Sequence, residues 1–340
     1  MKLSIAIVGL PNVGKSTLFK ILTKQQVHIA NYPFTTINPN LGVVAVPDER
    51  LQKLAALTNT PRIIPATVEF YDIAGLVKNA NKGEGLGNQF LAHIRETQAI
   101  VIVLRVFQNT EIIHVENSVD PLRDLKIINV ELALKDLETA TKHLQKLEAD
   151  ARGGDKSAIK NLDIIKHIAA LIGRGEIPAR YSNEEIVREM GLLTTKRQLY
   201  LLNGKEGDVT EELLQEIKKL GVDYIVSDLA HTEVLSQLIK KAYEILDLVS
   251  FFTFNDNETR AWTITRGTLA PQAAGVIHSD FEKNFIRAEV VSYPKLVEAG
   301  SPSMSSGQSP WAIAKQKGWV RLEGKEYAVQ DGDVILVRSG

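Results

Sequence analysis

Over the first 250 residues, short apolar runs alternate with segments in which apolar residues recur at helical spacing. Apolar runs of this length, bounded by glycine, proline or polar residues, are typical of buried strands. Strands that alternate with helices predict an α/β fold with a doubly wound, mainly parallel sheet. The predicted strands are residues 3–8, 41–46, 68–75, 99–106, 197–202 and 222–227, and the predicted helices are 17–23, 89–96 and 232–248.

The stretch between the fourth and fifth predicted strands is about ninety residues long, far more than one crossover helix needs. Apolar residues at helical intervals predict helices over 122–151 and 159–172, joined by a tight Gly-Gly turn. A third, short helix is predicted to begin at Ser182-x-x-Glu185, which has the form of a capping box. The pattern predicts an antiparallel helical hairpin inserted as residues 121–196. Such a hairpin is either a partner-binding arm or a solvated stalk without a function of its own.

After residue 250 the pattern changes to short strands separated by glycine and proline turns, which predicts a small mixed domain over 251–340. A short helix is predicted within 270–280, and the serine-rich run 300–309, inside the segment 294–317, is predicted to be mobile. The predicted strands of this domain are 251–254, 260–265, 285–291 and 334–337. The remaining domain is then formed by residues 1–120 and 197–250.

Residues 9–17 read GLPNVGKST and directly follow the first predicted strand. They fit G-x-x-x-x-G-K-[ST], a loop that holds phosphates at the start of a helix. The two glycines let backbone N–H groups turn toward phosphate oxygens, Lys15 supplies charge for the β- and γ-phosphates, and Ser16 is placed to bind Mg²⁺. The motif predicts a nucleoside-triphosphate site whose binding residues here are Asn12, Val13, Gly14, Lys15, Ser16 and Thr17.

Segment 31–44 follows the predicted first helix and contains Pro33 and Pro39, which exclude a regular helix. It occupies the place where phosphate-loop proteins keep a segment that senses the γ-phosphate. Of its two adjacent threonines, Thr36 is predicted to add a hydroxyl to the Mg²⁺ shell. The alternative is an ordinary proline-rich loop in which threonine stabilises turns.

The strand predicted over 68–75 ends in Asp-x-x-Gly. Asp72 is predicted to be the acidic partner of Mg²⁺, and Gly75 to offer its N–H to the γ-phosphate during catalysis, alongside Lys15. The next residue, Leu76, cannot orient an attacking water, whereas a side-chain amide at that position could. Hydrolysis therefore needs a further group from elsewhere in the chain.

The fifth predicted strand ends in Asn203-Gly-Lys-Glu206. Phosphate-loop proteins that bind GTP have Asn-Lys-x-Asp at this turn, and the aspartate accepts two hydrogen bonds from guanine. Asn203 can still donate to N7, which every purine carries. Glu206 is one methylene longer than aspartate and would crowd the guanine edge, which argues against strict guanine selection. The backbone at Ser227, after the sixth strand, is predicted to border the base.

Composition limits the remaining possibilities. The chain has 340 residues, a formal net charge of −1 and no cysteine, which excludes disulfides and thiolate metal sites. A cysteine-free chain suits a reducing compartment, and no apolar run reaches membrane-spanning length, so we expect a cytoplasmic protein with no membrane contact. Nucleic-acid binding would need a local basic face, because the whole protein is nearly neutral.

These motifs together carry a family resemblance. The runs GLPNVGKSTLF, NYPFTTINPNLGVV, DIAGLV, KGEGLGNQFL and NGKE resemble the YchF group of Obg-related phosphate-loop proteins. Segments 262–285 and 322–336 resemble the C-terminal TGS domain of that group, and the resemblance covers nearly the whole chain. It implies a nucleotide-hydrolysing domain, an inserted helical domain and a ubiquitin-like α+β TGS domain.

The resemblance also implies a preference for ATP over GTP, association with the ribosome, and a role in translation or stress responses. We expect the partner to be the large subunit and its RNA, and the protein to be a monomer. His114 resembles the loop histidine that the group is thought to use for hydrolysis, and the alternative is a solvated histidine without a role. Relatives with asparagine at the position of Asn12 bind a monovalent cation, which predicts a dependence on K⁺.

Three functional hypotheses follow. The first is an ATPase switch that hydrolyses ATP slowly and changes shape with its nucleotide. The second is a ribosome- or RNA-binding scaffold that the nucleotide gates, with incidental turnover. The third is a conventional GTPase.

Overall fold

The structure is a computed structural model, and it describes residues 3–24, 41–72, 94–109, 112, 114, 118–182, 184–229, 234–301 and 308–340. Contacts between chain segments divide the protein into an N-terminal unit, formed by Ser4–Val44 and Glu69–Ile245, and a C-terminal unit, formed by Met1–Leu3, Ala45–Val68 and Leu246–Gly340.

The secondary structure is numbered in chain order. The strands are β1 (Leu3–Val8), β2 (Leu41–Ala45), β3 (Arg62–Ile64), β4 (Thr67–Asp72), β5 (Ala99–Arg105), β6 (Arg197–Asn203), β7 (Asp223–Ser227), β8 (Leu248–Phe254), β9 (Glu258–Thr265), β10 (Phe285–Ser292), β11 (Arg321–Glu323) and β12 (Asp333–Ser339). The α-helices are α1 (Lys15–Lys24), α2 (Glu49–Thr58), α3 (Pro121–Arg152), α4 (Lys156–Gly173), α5 (Glu185–Met190), α6 (Glu211–Leu220), α7 (Val234–Ile245), α8 (Ala270–Ile277), α9 (Ser279–Lys283), α10 (Tyr293–Ala299) and α11 (Pro310–Gln316).

The N-terminal unit is built on a six-stranded sheet with the order β2-β4-β1-β5-β6-β7. Strands β1, β5, β6 and β7 pair in parallel with their neighbours in that order. β1 and β5 are buried along their whole length, which is why they read as continuous apolar runs. Register pairs Arg105 with Asn203 and Asn203 with Ser227, so β5, β6 and β7 end at one edge of the sheet. This arrangement confirms the predicted α/β fold, and open parallel sheets bind ligands at that edge.

Helices α3 and α4 form the predicted hairpin and pack along their length. The turn between them contains Gly154 in a left-handed conformation (φ +86°), and Asp155 caps α4 by accepting the N–H groups of Ser157 and Ala158. Their apolar faces share one buried cluster with α5, whose members include Ala140, Leu147, Ile165, Ile168, Ile172 and Val187. The predicted capping box is wrong, because the N-cap of α5 is Glu184 and no side chain caps that helix.

A buried carboxylate connects the hairpin to the rest of the N-terminal unit. Asp136, on α3, accepts hydrogen bonds from the N–H groups of Leu193 (2.8 Å) and Thr194 (2.7 Å) and from the Thr194 hydroxyl (2.6 Å). Burial raises the pKa of Asp136, and these three hydrogen bonds oppose that shift. The loop that leads into β6 is thereby attached directly to α3.

The C-terminal unit contains a second six-stranded sheet, with the order β11-β10-β12-β8-β9-β3. β8 and β9 form an antiparallel pair, as do β10 and β12, whereas β12 runs parallel to β8. Helix α8 covers one face of the sheet, and its Ala273 and Ala274 pack in a core with Phe251, Ala288 and Val290. This mixed sheet confirms the predicted α+β domain.

The segment Ala45–Val68 belongs to the C-terminal unit, which corrects the prediction that residues 1–120 lie wholly in the first domain. β3 pairs in parallel with β9, from Arg62 opposite Glu258 to Ile64 opposite Arg260. At the end of α2, the hydroxyl of Thr58 lies 3.1 Å from that of the buried Thr259. A three-residue strand carries too little pattern to predict this pairing from the sequence.

The segment 294–317, which includes the predicted mobile run, contains helix α11 and all of α10 except its first residue, Tyr293. Ser309 caps α11 by accepting the N–H of Ala312, so the C-terminal end of the serine-rich run starts a helix. Residues 302–307, at the centre of that run, lie outside the described residues. Within the part of the chain that the structure describes, none of the helices has the length and apolar character needed to cross a bilayer.

Candidate nucleotide-binding site

The phosphate loop connects β1 to α1 and adopts backbone conformations that its sequence permits. Gly14 has φ +112°, and a Cβ there would lie 2.4 Å from the side-chain nitrogen of Asn203. A Cβ on Gly9 would lie 2.6 Å from the carbonyl oxygen of Val103, on β5. Asn12 also has a positive φ (+62°), a conformation that asparagine tolerates better than most residues. Close contacts therefore exclude a side chain at both glycines, and at Gly14 the positive φ favours glycine as well.

Lys15 begins α1 and is buried, with 8% of its surface exposed. Its ammonium group donates a hydrogen bond to the carbonyl of Leu10 at 2.5 Å. Burial lowers the pKa of Lys15 to about 8, although the charge of Asp72 acts in the opposite direction. An ammonium group has three donors, so the contact with Leu10 leaves capacity for an anionic ligand.

Asp72 ends β4 with one buried carboxylate oxygen, Oδ1, that lacks a hydrogen-bond partner among the described residues. Burial raises the pKa of Asp72, and Lys15 opposes the shift. A buried carboxylate oxygen in this position suits a cation, and a hard cation such as Mg²⁺ prefers oxygen ligands. The residues present therefore fit Mg²⁺, with Ser16 as the hydroxyl ligand predicted beside Lys15.

Two predicted partners, Thr36 and Gly75, lie outside the described residues. In the described part of the chain no group of three or more His, Cys, Asp or Glu is arranged to hold a metal ion by itself. A Mg²⁺ site in a phosphate-loop protein needs no such group, because phosphate oxygens and water complete the shell.

Asn203 is 5% exposed and holds two loops beside the end of β6. Its side-chain nitrogen donates to the carbonyl of Val13 in the phosphate loop (2.8 Å), and its side-chain oxygen accepts the N–H of Leu229 (3.3 Å). From the sequence, Asn203 is predicted only as a purine ligand, and its bridging role becomes visible in the structure. One amide hydrogen of the side chain is not used in the contact with Val13, so the predicted donation to N7 stays a prediction.

Gly204 has φ +155°, and a Cβ there would lie 2.5 Å from a methyl group of Val106. A lysine at this position, as in the Asn-Lys-x-Asp turn, would need Val106 to move. Glu206 is exposed and begins a short 3-10 turn, Glu206–Asp208. Ser227 accepts the N–H of Gly204 at 3.2 Å. The structure thus brings Asn203, the start of the Glu206 turn and Ser227 together at one sheet edge.

His114 is buried rather than solvated, with 4% of its surface exposed. Its Nε2 lies 2.8 Å from Oδ2 of Asp124, a fully buried carboxylate in the first turn of α3. Arg123 lies 3.0 Å from the other oxygen of Asp124. Burial raises the pKa of Asp124, and Arg123 and His114 oppose that shift. The alternative of a solvated histidine is therefore wrong, whereas the catalytic role stays a prediction.

Arg105 is a further residue that the sequence analysis missed. It ends β5, has no exposed surface, and donates to the carbonyl oxygens of Phe107 (3.2 Å), Asn109 (2.8 Å) and Ile112 (3.0 Å). Burial lowers the pKa of its guanidinium. The residue fixes the backbone between β5 and His114 from inside the protein. Its one sequence signal is an arginine at the end of the otherwise apolar run AIVIVLR.

Two family models match the chain, one near each end. Residues 4–142 match the model described as 50S ribosome-binding GTPase. Residues 248–339 match the YchF-GTPase_C model, whose description is a protein of unknown function. The first match contains the phosphate loop, Asp72 and His114, and the second contains most of the C-terminal sheet.

Relatives match over almost the full length. The protein named ribosome-binding ATPase YchF from Bacillus subtilis is 43% identical over 373 residues, which cover 99% of each chain. Its namesake from Escherichia coli O157:H7 is 43% identical over 366 residues, or 98% of each chain. The solved structure of the Schizosaccharomyces pombe YchF GTPase is 36% identical, covers 99% of this chain and 98% of its own, and superposes with a TM-score of 0.81. With full-length identity at this level and a shared fold, the chain belongs to the YchF family.

Proposed function

We propose that this protein is a ribosome-associated ATPase that binds ATP with Mg²⁺, hydrolyses it slowly and changes its interactions with its nucleotide state. The observation that carries the proposal is the buried Lys15, which faces the charge of Asp72 beside a complete phosphate loop. The names of the full-length relatives, ribosome-binding ATPase YchF, support the partner and the nucleotide. Phosphate release from ATP and from GTP, measured with and without ribosomes, tests the proposal against the GTPase and scaffold hypotheses.

The proposed mechanism assigns a task to each group of the site. Backbone N–H groups from Val13 to Thr17 hold the phosphate oxygens, and the ammonium group of Lys15 neutralises the β- and γ-phosphates. Ser16, Asp72 and Thr36 would hold Mg²⁺, which, when bound, withdraws charge from the transferring phosphoryl group. Gly75 would donate its N–H to the γ-phosphate. Since Leu76 cannot orient water, His114 is the proposed group that positions the attacking water.

Selection of adenine would follow from the turn after β6. Glu206 is a longer acid than the aspartate that reads guanine. The turn that it begins follows Gly204, where a side chain would need a shift of Val106. Asn203 contributes a contact common to all purines, and Ser227 borders the base. These features support ATP as the preferred nucleotide and GTP as the weaker one.

The ribosome, specifically its large subunit and RNA, is the proposed partner, and translation or stress regulation is the proposed process. The description of the matched N-terminal family, 50S ribosome-binding GTPase, supports the large subunit. The hairpin of α3 and α4 and the C-terminal unit are the proposed contact regions. Such a protein would act in the cytoplasm as a monomer.

Lys15→Ala should weaken ATP binding by roughly a hundredfold or more, because a charged contact with two phosphates is lost. The fold should persist, since removing a buried ammonium group also removes its desolvation penalty. Titration with a fluorescent ATP analogue and thermal unfolding measure the two effects. Lys24→Ala, at the exposed end of the same helix, is the matched control. Wild-type affinity in a folded Lys15→Ala variant would exclude the assigned site.

Glu206→Asp should shift the ATP-to-GTP affinity ratio toward GTP by roughly tenfold, because the shorter carboxylate can accept hydrogen bonds from guanine. Competition binding with the two nucleotides gives the ratio directly. Glu211→Asp makes the same change in a neighbouring exposed acid at the start of α6 and should leave the ratio as it is. An unchanged ratio in Glu206→Asp would place selection in the backbone near Ser227.

Hydrolysis should be faster in K⁺ than in Na⁺ at equal ionic strength, because Asn12 is proposed to bind K⁺ beside the phosphates. Asn12→Gly removes the side chain and still accepts the positive φ of that position, so it tests the side chain without backbone strain. The variant should lose the difference between the two salts. Equal rates of the wild-type protein in K⁺ and Na⁺ contradict the proposal.

His114→Ala should lower kcat by roughly ten- to a hundredfold and leave ATP affinity nearly unchanged, because the group would act in the transition state. The buried imidazole also contributes to packing, so the measurement needs a thermal unfolding curve and an ATP titration of the same sample. His143→Ala, an exposed histidine on α3, is the control. Normal turnover in a His114→Ala variant that binds ATP would remove the histidine from the mechanism.

A further inference from the structure

The position of His114 conflicts with the role proposed for it. A group that positions water at the γ-phosphate must present a ring nitrogen to the ligand. The His114 side chain is 2% exposed, and its Nε2 faces Asp124 at 2.8 Å. In this arrangement that nitrogen has a protein partner on α3 and no face open to solvent.

Asp124 is placed to hold the imidazole by a close electrostatic contact, although the two facing atoms do not form a hydrogen bond of regular geometry. The carboxylate has no exposed surface, and the close pair is therefore screened little by solvent. One carboxylate oxygen lies against His114 and the other against Arg123, so both oxygens face cationic or hydrogen-donating groups. Arg123 is itself fixed by the hydroxyl of Ser118 at 2.9 Å and its carbonyl oxygen at 2.8 Å. The carboxylate is thus held in position by a partner other than His114.

The backbone that leads to His114 is anchored independently. The three hydrogen bonds from Arg105 fix the carbonyl groups of Phe107, Asn109 and Ile112. Loss of the Asp124 contact would therefore loosen the imidazole, while the start of the segment stays attached to the end of β5. The Asp124 contact is made by the histidine ring itself.

We propose that Asp124 is a positioning residue that holds His114 away from the nucleotide, so that basal hydrolysis is slow until α3 releases the imidazole. The inference rests on the proposed catalytic function of His114. Because Asp124 belongs to the helical insertion, a partner that displaces α3 would raise turnover without touching the nucleotide. The free energy for release comes from the difference between the partner's affinity for the protein with His114 held by Asp124 and its affinity for the protein with His114 released.

Asp124→Asn is the test, since asparagine keeps the shape of the side chain and an acceptor for Arg123 but removes the charge that attracts the imidazole. Basal kcat for ATP should rise about three- to tenfold, while KM stays within about twofold, because the loss of one charge-assisted contact shifts the population of released His114 by that order. The stimulation factor produced by added ribosomes should fall, since part of the release has already occurred. Glu211→Gln makes the same acid-to-amide change at an exposed position at the start of α6, outside the proposed contact regions, and should change neither quantity.

The double variant His114→Ala/Asp124→Asn assigns the effect. If Asp124 acts through His114, the double variant should turn over as slowly as His114→Ala alone. A basal rate in Asp124→Asn that is unchanged, or that falls as it would if Asp124 oriented a working histidine, overturns the inference. Normal turnover in His114→Ala is a different result, because it removes the proposed catalytic function itself.

A second measurement covers the case in which Asp124→Asn does not fold. Wild-type protein with ¹³C-labelled histidine gives an NMR signal for His114, identified by its absence in His114→Ala. The signal should move when ADP, Mg²⁺ and aluminium fluoride are added with ribosomal large subunits, because the ring then exchanges a buried carboxylate for the ligand. An identical signal in the free and fully loaded protein overturns the inference.

Discussion

The candidate site depends on one constraint: charged and polar groups at the carboxyl edge of the parallel sheet are buried away from water. Lys15 and Asp72 are both placed where burial favours their neutral forms, so each shifts toward neutrality unless an opposite charge is near. The charge of each group offsets the pKa shift of the other only in part. A triphosphate with a divalent cation supplies an anion for the lysine and a cation for the carboxylate at the same time, which makes the site most stable when both ligands are present.

The same edge is kept in shape by contacts that leave no room for side chains. Asn203 joins the phosphate loop to the loop after β7, and its amide occupies the space that a Cβ on Gly14 would need. Gly204 approaches Val106, the residue after β5, closely enough to exclude a side chain unless Val106 moves. The turn after β6 and the phosphate loop are therefore one packed structure. A lysine at position 204, as in the guanine-reading pattern, would have to be compatible with that packing.

The sequence predicts those features that a local pattern of residues determines. Fully buried parallel strands such as β1 and β5 are continuous apolar runs, and the phosphate loop is a motif whose spacing has a direct geometric meaning. β3 has three residues, two of them exposed, and its partner β9 lies almost 200 positions away, so no local pattern reveals it. Burial of Arg105 depends on loop carbonyls, and burial of His114 depends on a carboxylate in another element. Such features are set by tertiary contacts, and sequence reasoning finds the residues without finding their surroundings.

Helix α3 is one helix of the hairpin and also makes contacts with His114 and with the loop before β6. Along a single helix, Asp124 faces His114, Asp136 holds the loop before β6, and Thr139 accepts a hydrogen bond from Arg95 at 2.5 Å. The fifteen residue steps from Asp124 to Thr139 span about 22 Å at 1.5 Å per residue. Two of the three contacts are made by buried carboxylates. A buried carboxylate is costly to leave unpaired, so the protein favours either the arrangement in which both are paired as here or another arrangement that pairs them differently. Because a continuous helix moves these contacts together, a force applied to the hairpin would act on the loop before β6 and on His114 at once. The proposed coupling of a partner at the insertion to chemistry at the phosphate loop would have this physical basis.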